Sequence, residues 1–233
     1  MLKDTTTVAI YGVGIMLGTY YGAFASAISS LLLPKATKML YGNSSKVEVS
    51  NMFTKIGRIT VFILFFILGG FALFGKQFVL LWLGENYIIS WKIALLIMVA
   101  ITIPLSQSFA NSILEASQKL KFKVFVSLSF MAIGITLGAY LVKDYGGFGM
   151  IVGILLGRVL SELALNIFYM KVIQLNVLGF FKKVYLKNTL ILIVVLLLGY
   201  LINEFPGEGW FNFIIKISKY SILFFVTFYK FAL

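Results

Sequence analysis

Apolar residues run along this chain in long blocks, and short clusters of charge separate the blocks. Seven stand out, at about Thr6 to Leu33, Ile56 to Leu81, Trp91 to Leu114, Val124 to Val142, Phe148 to Met170, Thr189 to Ile202 and Trp210 to Tyr229. Most approach the roughly 20 residues that a helix needs to cross about 30 Å of hydrocarbon, and they are apolar all round. The pattern predicts an all-α integral membrane protein of about seven transmembrane helices. An outer-membrane barrel would need apolar and polar positions to alternate, and they do not.

The charges between the blocks give an orientation. The first connection holds Lys35, Lys38, Lys46, Lys55 and Arg58 against Glu48, the third holds Lys119, Lys121 and Lys123, and the fifth holds Lys171, Lys182, Lys183 and Lys187. The connections between them carry Lys76, Glu85 and Lys92, then Lys143 with Asp144, then Glu204 and Glu208. Basic residues collect on the cytoplasmic side, so the first set is cytoplasmic, and an odd helix count leaves the N-terminus outside and the C-terminus inside. An external N-terminus without a signal peptide suggests a further helix upstream. Lys216 and Lys219 interrupt the last block, leaving little beyond Tyr220 to Tyr229 uncharged, which is short for a span unless the lysines snorkel. The chain divides accordingly into a transmembrane bundle over 1–170, a cytoplasmic connector over 171–188 and further transmembrane helices over 189–233. In the connector, Val172, Ile173, Leu175, Leu178, Phe181, Val184 and Tyr185 interleave with lysines, as in an amphipathic helix on an anionic leaflet.

Composition agrees and removes whole classes of chemistry. The 233 residues are 61% hydrophobic and only 12% charged, with a mean hydropathy of +1.00, whereas soluble domains carry about 25% charged residues. There is no His and no Cys, which excludes disulfides, His/Cys metal sites, thiol nucleophiles and Ser–His or Cys–His relays. Asp4 and Asp144 lie beside helix ends and do not make an intramembrane aspartate pair. No cofactor, metal site or enzymatic activity is expected. The net charge of +12 would suggest nucleic acid in a soluble protein, but here the basic connections account for it.

Two kinds of position inside the blocks carry more information. Gly14, Gly18, Gly22, Ser26 and Ser30 recur every fourth residue, as do Gly149, Gly153, Gly157 and Ser161, and the fourth block carries Gly134 and Gly138. Such faces let helix backbones approach closely, and they also suit a sliding surface. Arg158 and Glu162 share a helical face near mid-membrane, and Asn166 continues it. Each charge there costs about 2.5 to 3.5 kcal/mol, so both face protein or a wet cavity. A mutual salt bridge that locks packing is one reading. The cavity-lining pair is favoured, with Arg158 for an anionic headgroup and Glu162 as its counter-ion or as a cation or proton site. Pro104 bends the third block, and beyond it Gln107 and Asn111 share a face, for interhelical hydrogen bonds or for substrate. Pro34 with Lys35 reads as the stop of the first helix.

Several local strings then occur in one order: Tyr11-Gly12, Leu33-Pro34 before a basic connection, Leu81-Trp82-Leu83-Gly84-Glu85-Asn86-Tyr87, Leu114-Glu115-Ala116-Ser117-Gln118-Lys119-Leu120-Lys121, and Tyr145-Gly146-Gly147-Phe148-Gly149. Together these loose motifs resemble the C-terminal half of a polysaccharide transporter, the Wzx-type oligosaccharide-lipid flippases of the multidrug/oligosaccharidyl-lipid/polysaccharide exporter superfamily. The resemblance implies the second of two six-helix bundles around a central cavity, plus extra C-terminal helices. Its implied activity is transfer of an undecaprenyl-pyrophosphate-linked oligosaccharide across the bacterial plasma membrane by alternating access, for surface polysaccharide such as O-antigen or capsule. The partners implied are the lipid-linked oligosaccharide, membrane lipids, and the missing N-terminal bundle or a second copy. Two alternatives remain: a drug or cation exporter of the same superfamily centred on Glu162, and a non-transporting membrane scaffold or remnant.

Overall fold

A computed structural model of the chain describes residues 5–29, 32–42, 44–204, 207 and 209–232, with side chains undescribed at 25–29 and 231–232. All regular structure among these residues is helical: α1 (Thr5–Ser29), α2 (Leu32–Tyr41), α3 (Lys46–Leu83), α4 (Ile88–Ser106), α5 (Ser108–Ala116), α6 (Leu120–Phe168), α7 (Val177–Phe180), α8 (Lys187–Asn203) and α9 (Gly209–Ala232). Short 3₁₀ and π turns join several of them, and 6 helical stretches are long and apolar enough to cross a membrane.

The longest helix is a hairpin. Straight, the 49 residues of α6 would reach about 74 Å, more than twice a bilayer core. At Gly146 the backbone leaves the helix (φ 57°, ψ −148°), a conformation that only glycine adopts without strain, and the chain reverses. The two legs, 120–145 and 147–168, run antiparallel along their small residues. A Cβ added to Gly153 would lie 2.2 Å from the Gly138 amide nitrogen, and one on Gly157 would lie 2.4 Å from the Phe130 carbonyl oxygen. Phe122 stacks on Phe168 where the legs end, at 4.0 Å between ring centres. The every-fourth-residue pattern is therefore a backbone-to-backbone seam.

The face of α1 works differently. Added Cβ atoms on Gly14 and Gly18 would meet Ile93 at 2.7 Å and Ile97 at 2.6 Å, and Gly22 faces Ile101. The constant offset means that α1 and α4 run parallel, with branched side chains of one seated in notches of the other. Ser30 and the side chain of Ser26 lie outside the described residues. Pro34 is not a helix stop: it lies within α2, which continues to Tyr41. It sits in the first turn of α2, where its missing N–H breaks no intrahelical bond.

α3 is the centre of the fold. Its 38 residues begin at Lys46, well before the predicted apolar block, because Ser45 and Glu48 form a capping box: Ser45 Oγ accepts from the Glu48 amide at 3.2 Å and Glu48 accepts from the Ser45 amide at 2.9 Å. One flank of α3 meets α1 and α4, where the Tyr21 hydroxyl bonds Thr102 at 2.7 Å and Trp91 Nε1 donates to the Phe71 carbonyl at 3.0 Å. The other flank meets α8 and α9 through rings. Phe62, Phe66, Phe224, Phe225 and Phe228 form one aromatic layer, and Tyr220 donates to the Phe66 carbonyl at 2.9 Å. Pairings such as Phe66 with Tyr220 and Phe78 with Phe213 make α3 and α9 antiparallel.

The connector over 171–188 packs part of its apolar side against protein: Leu175, Val177, Phe180 and Val184 are buried, and Phe180 stacks on Phe53 at 4.2 Å in the notch left by Gly57, while Val172 and Leu178 stay exposed. A π-helical stretch, Phe181–Leu186, then carries the chain directly into α8. Lys216 does not cut α9 short. Its side chain is buried and donates to the Asn203 carbonyl at 3.0 Å, at the negative end of α8. With the charge held there, Gly209–Lys230 is long and apolar enough to span.

Candidate functional site

The predicted site residues gather where the second leg of α6 passes α1, α4 and α5, but they divide into two groups. Gln107 lies at the break that Pro104 prepares between α4 and α5, with φ −97° and ψ 18°. There its side-chain amide donates to Asn166 Oδ1 at 2.8 Å, and Asn166 in turn donates to the Glu162 carbonyl at 2.9 Å. Asn111, one turn on, accepts from the Tyr169 hydroxyl at 2.9 Å. Gln107 and Asn166 are buried, so these amides fasten the second leg of α6 to the bent helix. Nearby, the Tyr185 hydroxyl bonds Ser106 at 2.7 Å and donates to the Thr102 carbonyl at 3.3 Å, which ties the chain entering α8 to the same bend. Gln107 Oε1 has no hydrogen-bond partner among the described residues.

The charged group is the other one. Arg158 is exposed and lies about 16 Å along the second leg from Gly147, close to its middle. It lines a shallow hollow of about 440 Å³ whose walls are Ile15, Gly18, Thr19, Gly22 and Ala23 of α1 and Ile97, Ile101 and Leu105 of α4. Gly18 and Gly22 line it where Ile97 and Ile101 of α4 pack close against α1. Glu162 is half-buried one turn away, in the field of both Arg158 and Lys123. Among the described residues no ion pair joins Arg158 to Glu162, so the guanidinium is left facing the hollow.

Lys123 was placed by the sequence in a cytoplasmic connection. It belongs to the first leg of α6, half-buried and opposite Glu162. The only signal for it is the antiparallel register set by Gly146, since Ser127 and Ser161 face each other one turn further along at 3.4 Å. Tyr169, Tyr185 and Tyr21 were also missed as polar partners; a tyrosine in an apolar block carries no mark of where its hydroxyl will go.

The arrangement holds one unpaired cation on a concave, otherwise apolar wall. It suits an anion that carries a long apolar part. A second groove, of about 380 Å³, runs on the outer side of α1 and α3 between Phe24, Phe71 and Ile217, with walls that are almost wholly apolar. Comparisons of the chain with protein-family models, curated proteins and solved structures find no match.

Proposed function

We propose that this chain forms the C-terminal part of a flippase that moves a polyprenyl-pyrophosphate-linked oligosaccharide across a bacterial plasma membrane, as the resemblance to Wzx-type transporters implies. The observation that carries the reading is Arg158: a guanidinium at mid-helix, exposed on a glycine-cut hollow and free of an acid within ion-pair distance among the described residues. A charge in that position costs about 2.5 to 3.5 kcal/mol unless it meets water or a counter-charge, and a pyrophosphate supplies the counter-charge. Counted as two crossings, α6 would bring the spans to seven, and the charge pattern would then set the N-terminus outside. The hollow faces away from α3, α8 and α9, where a second bundle or a second copy would complete a central cavity. No bond is made or broken; the protein exposes the hollow to one leaflet and then to the other.

The test is a flipping assay in proteoliposomes on the native polypeptide that contains this chain, using a fluorescent polyprenyl-pyrophosphate oligosaccharide and an added glycosidase to read the outer leaflet. Arg158→Ala is expected to slow flipping about a hundredfold, as loss of a charge-assisted contact of about 3 kcal/mol implies, with Arg158→Lys retaining part of the rate. Glu162→Ala is expected to have the smaller effect. The reverse order, together with export of an organic cation, would instead establish the exporter alternative, which Glu162 between two cations makes specific.

A further inference from the structure

A second basic site lies at the opposite flank of the molecule, at the end where α3 and α8 enter the bundle and α9 leaves it. Arg58 on α3, Lys183 on the π-helical stretch before α8 and Lys187 at the start of α8 converge on a cleft of about 560 Å³, and no acidic side chain lines it. All three cations are exposed, and none makes an ion pair among the described residues. Asn188 also lines the cleft. It is only 8% exposed, and its side-chain amide has no hydrogen-bond partner among the described residues. The floor is aromatic: Phe62 packs edge-on against Phe228 at 5.4 Å, and Tyr229 and Phe225 continue the surface along α9 toward the apolar middle of the helices.

Charge and amide at the mouth, with rings running down into the span, make a two-part site. The polar part matches a phosphate that accepts from two lysines, an arginine and an amide N–H. The apolar part matches an acyl chain lying along Phe62 and Phe225. Neither part belongs to the Arg158 hollow, which is lined by α1, α4 and α6. We infer that this cleft is a binding site for the phosphate headgroup of an anionic phospholipid of the membrane, seated between α3, α8 and α9. Basic pockets between membrane helices on the cytoplasmic side recognise such headgroups in this way. The site would also hold the entry into α8 against α3, where Lys183 and Lys187 would otherwise repel Arg58.

The experiment is native mass spectrometry of the purified, delipidated chain, titrated separately with phosphatidylglycerol, phosphatidylcholine and inorganic pyrophosphate. Phosphatidylglycerol is expected to occupy one site at least about tenfold more tightly than phosphatidylcholine, and Lys183→Gln with Lys187→Gln to weaken it about thirtyfold. Lys183→Arg with Lys187→Arg is expected to retain binding, and Lys119→Gln with Lys121→Gln, which removes the same charge elsewhere, to leave it unchanged. Arg58→Gln alone is expected to weaken binding and serves if the double variant fails to fold. Equal binding of the two phospholipids, or equal loss in both glutamine pairs, would overturn the inference. Saturation by pyrophosphate that phosphatidylglycerol cannot displace would overturn it in favour of a soluble phosphate ligand.

Discussion

The two sides of the molecule, on either side of α3, are built by opposite rules. Toward α8 and α9 the interface is filled by rings, with Phe224 and Phe228 stacked at 4.2 Å and Phe180 seated in the notch at Gly57. On the other side of α3, the contacts among α1, α4 and α6 are made by removing side chains, so that Gly14 and Gly18 of α1 receive isoleucines of α4 and Gly134, Gly138, Gly153 and Gly157 bring the two legs of α6 together. In lipid there is little hydrophobic gain from pairing helices, so both flanks depend on van der Waals fit and a few hydrogen bonds. A ring-filled contact has large groups to lose, and a glycine contact has no room to gain any. One side is packed with rings, while the other side carries the hollow on which Arg158 is exposed.

Substitutions separate the two rules. The largest effect is expected from Gly153→Leu, because even a Cβ there would lie 2.2 Å from the Gly138 backbone and no side chain can move aside. The hairpin should open, with a loss of about 3 kcal/mol or more in unfolding experiments in detergent. Phe180→Ala is next: it empties the Gly57 notch and unstacks Phe53, for a loss of about 3 kcal/mol. Tyr220→Phe keeps the ring and deletes only the bond to the Phe66 carbonyl, so about 1 kcal/mol is expected. Gly12→Ala should fall within about 0.5 kcal/mol, since nothing lies within 4 Å of the added methyl. A loss at Gly12 as large as that at Gly153 would mean that the cost does not come from the close contact, since helix propensity alone favours Ala over Gly, and would break the comparison.

What the sequence made legible is what depends on local chemistry. Block length and the Lys143–Asp144 charges located the apolar stretches and the place where α6 is divided, because runs of apolar side chains and the charges between them act within a few residues; that Gly146 turns the chain there was not read. The small-residue faces were legible as faces, but not the partner of each, since a glycine does not record whether an isoleucine or another backbone will meet it. The start of α3 ten residues early depended on Ser45 and Glu48, a cap that hydropathy does not register. The connector was legible only as a stripe: an apolar stripe between lysines fits a lipid surface and a protein groove equally, and the docking of Phe180 depends on Gly57, far off in sequence. In the site, helical spacing put Arg158, Glu162 and Asn166 on one leg. It did not separate Asn166, whose amide is used up on Gln107 and the Glu162 carbonyl, from Arg158, which remains exposed.

The central claim is that the hollow between α1 and α4 is reached by water, whereas the outer face of α9 meets lipid. The sequence has no Cys, so a single introduced thiol reports one position without background. Thr19→Cys sits in the hollow beside Arg158, and Val226→Cys sits on the outward face of α9 at 60% exposure. In intact membranes a charged, membrane-impermeant thiol reagent is expected to label Thr19→Cys and to leave Val226→Cys unmodified, with a polyprenyl-pyrophosphate glycan protecting the former. Equal resistance at both positions would place the hollow in lipid and contradict the account of Arg158 as an anion site.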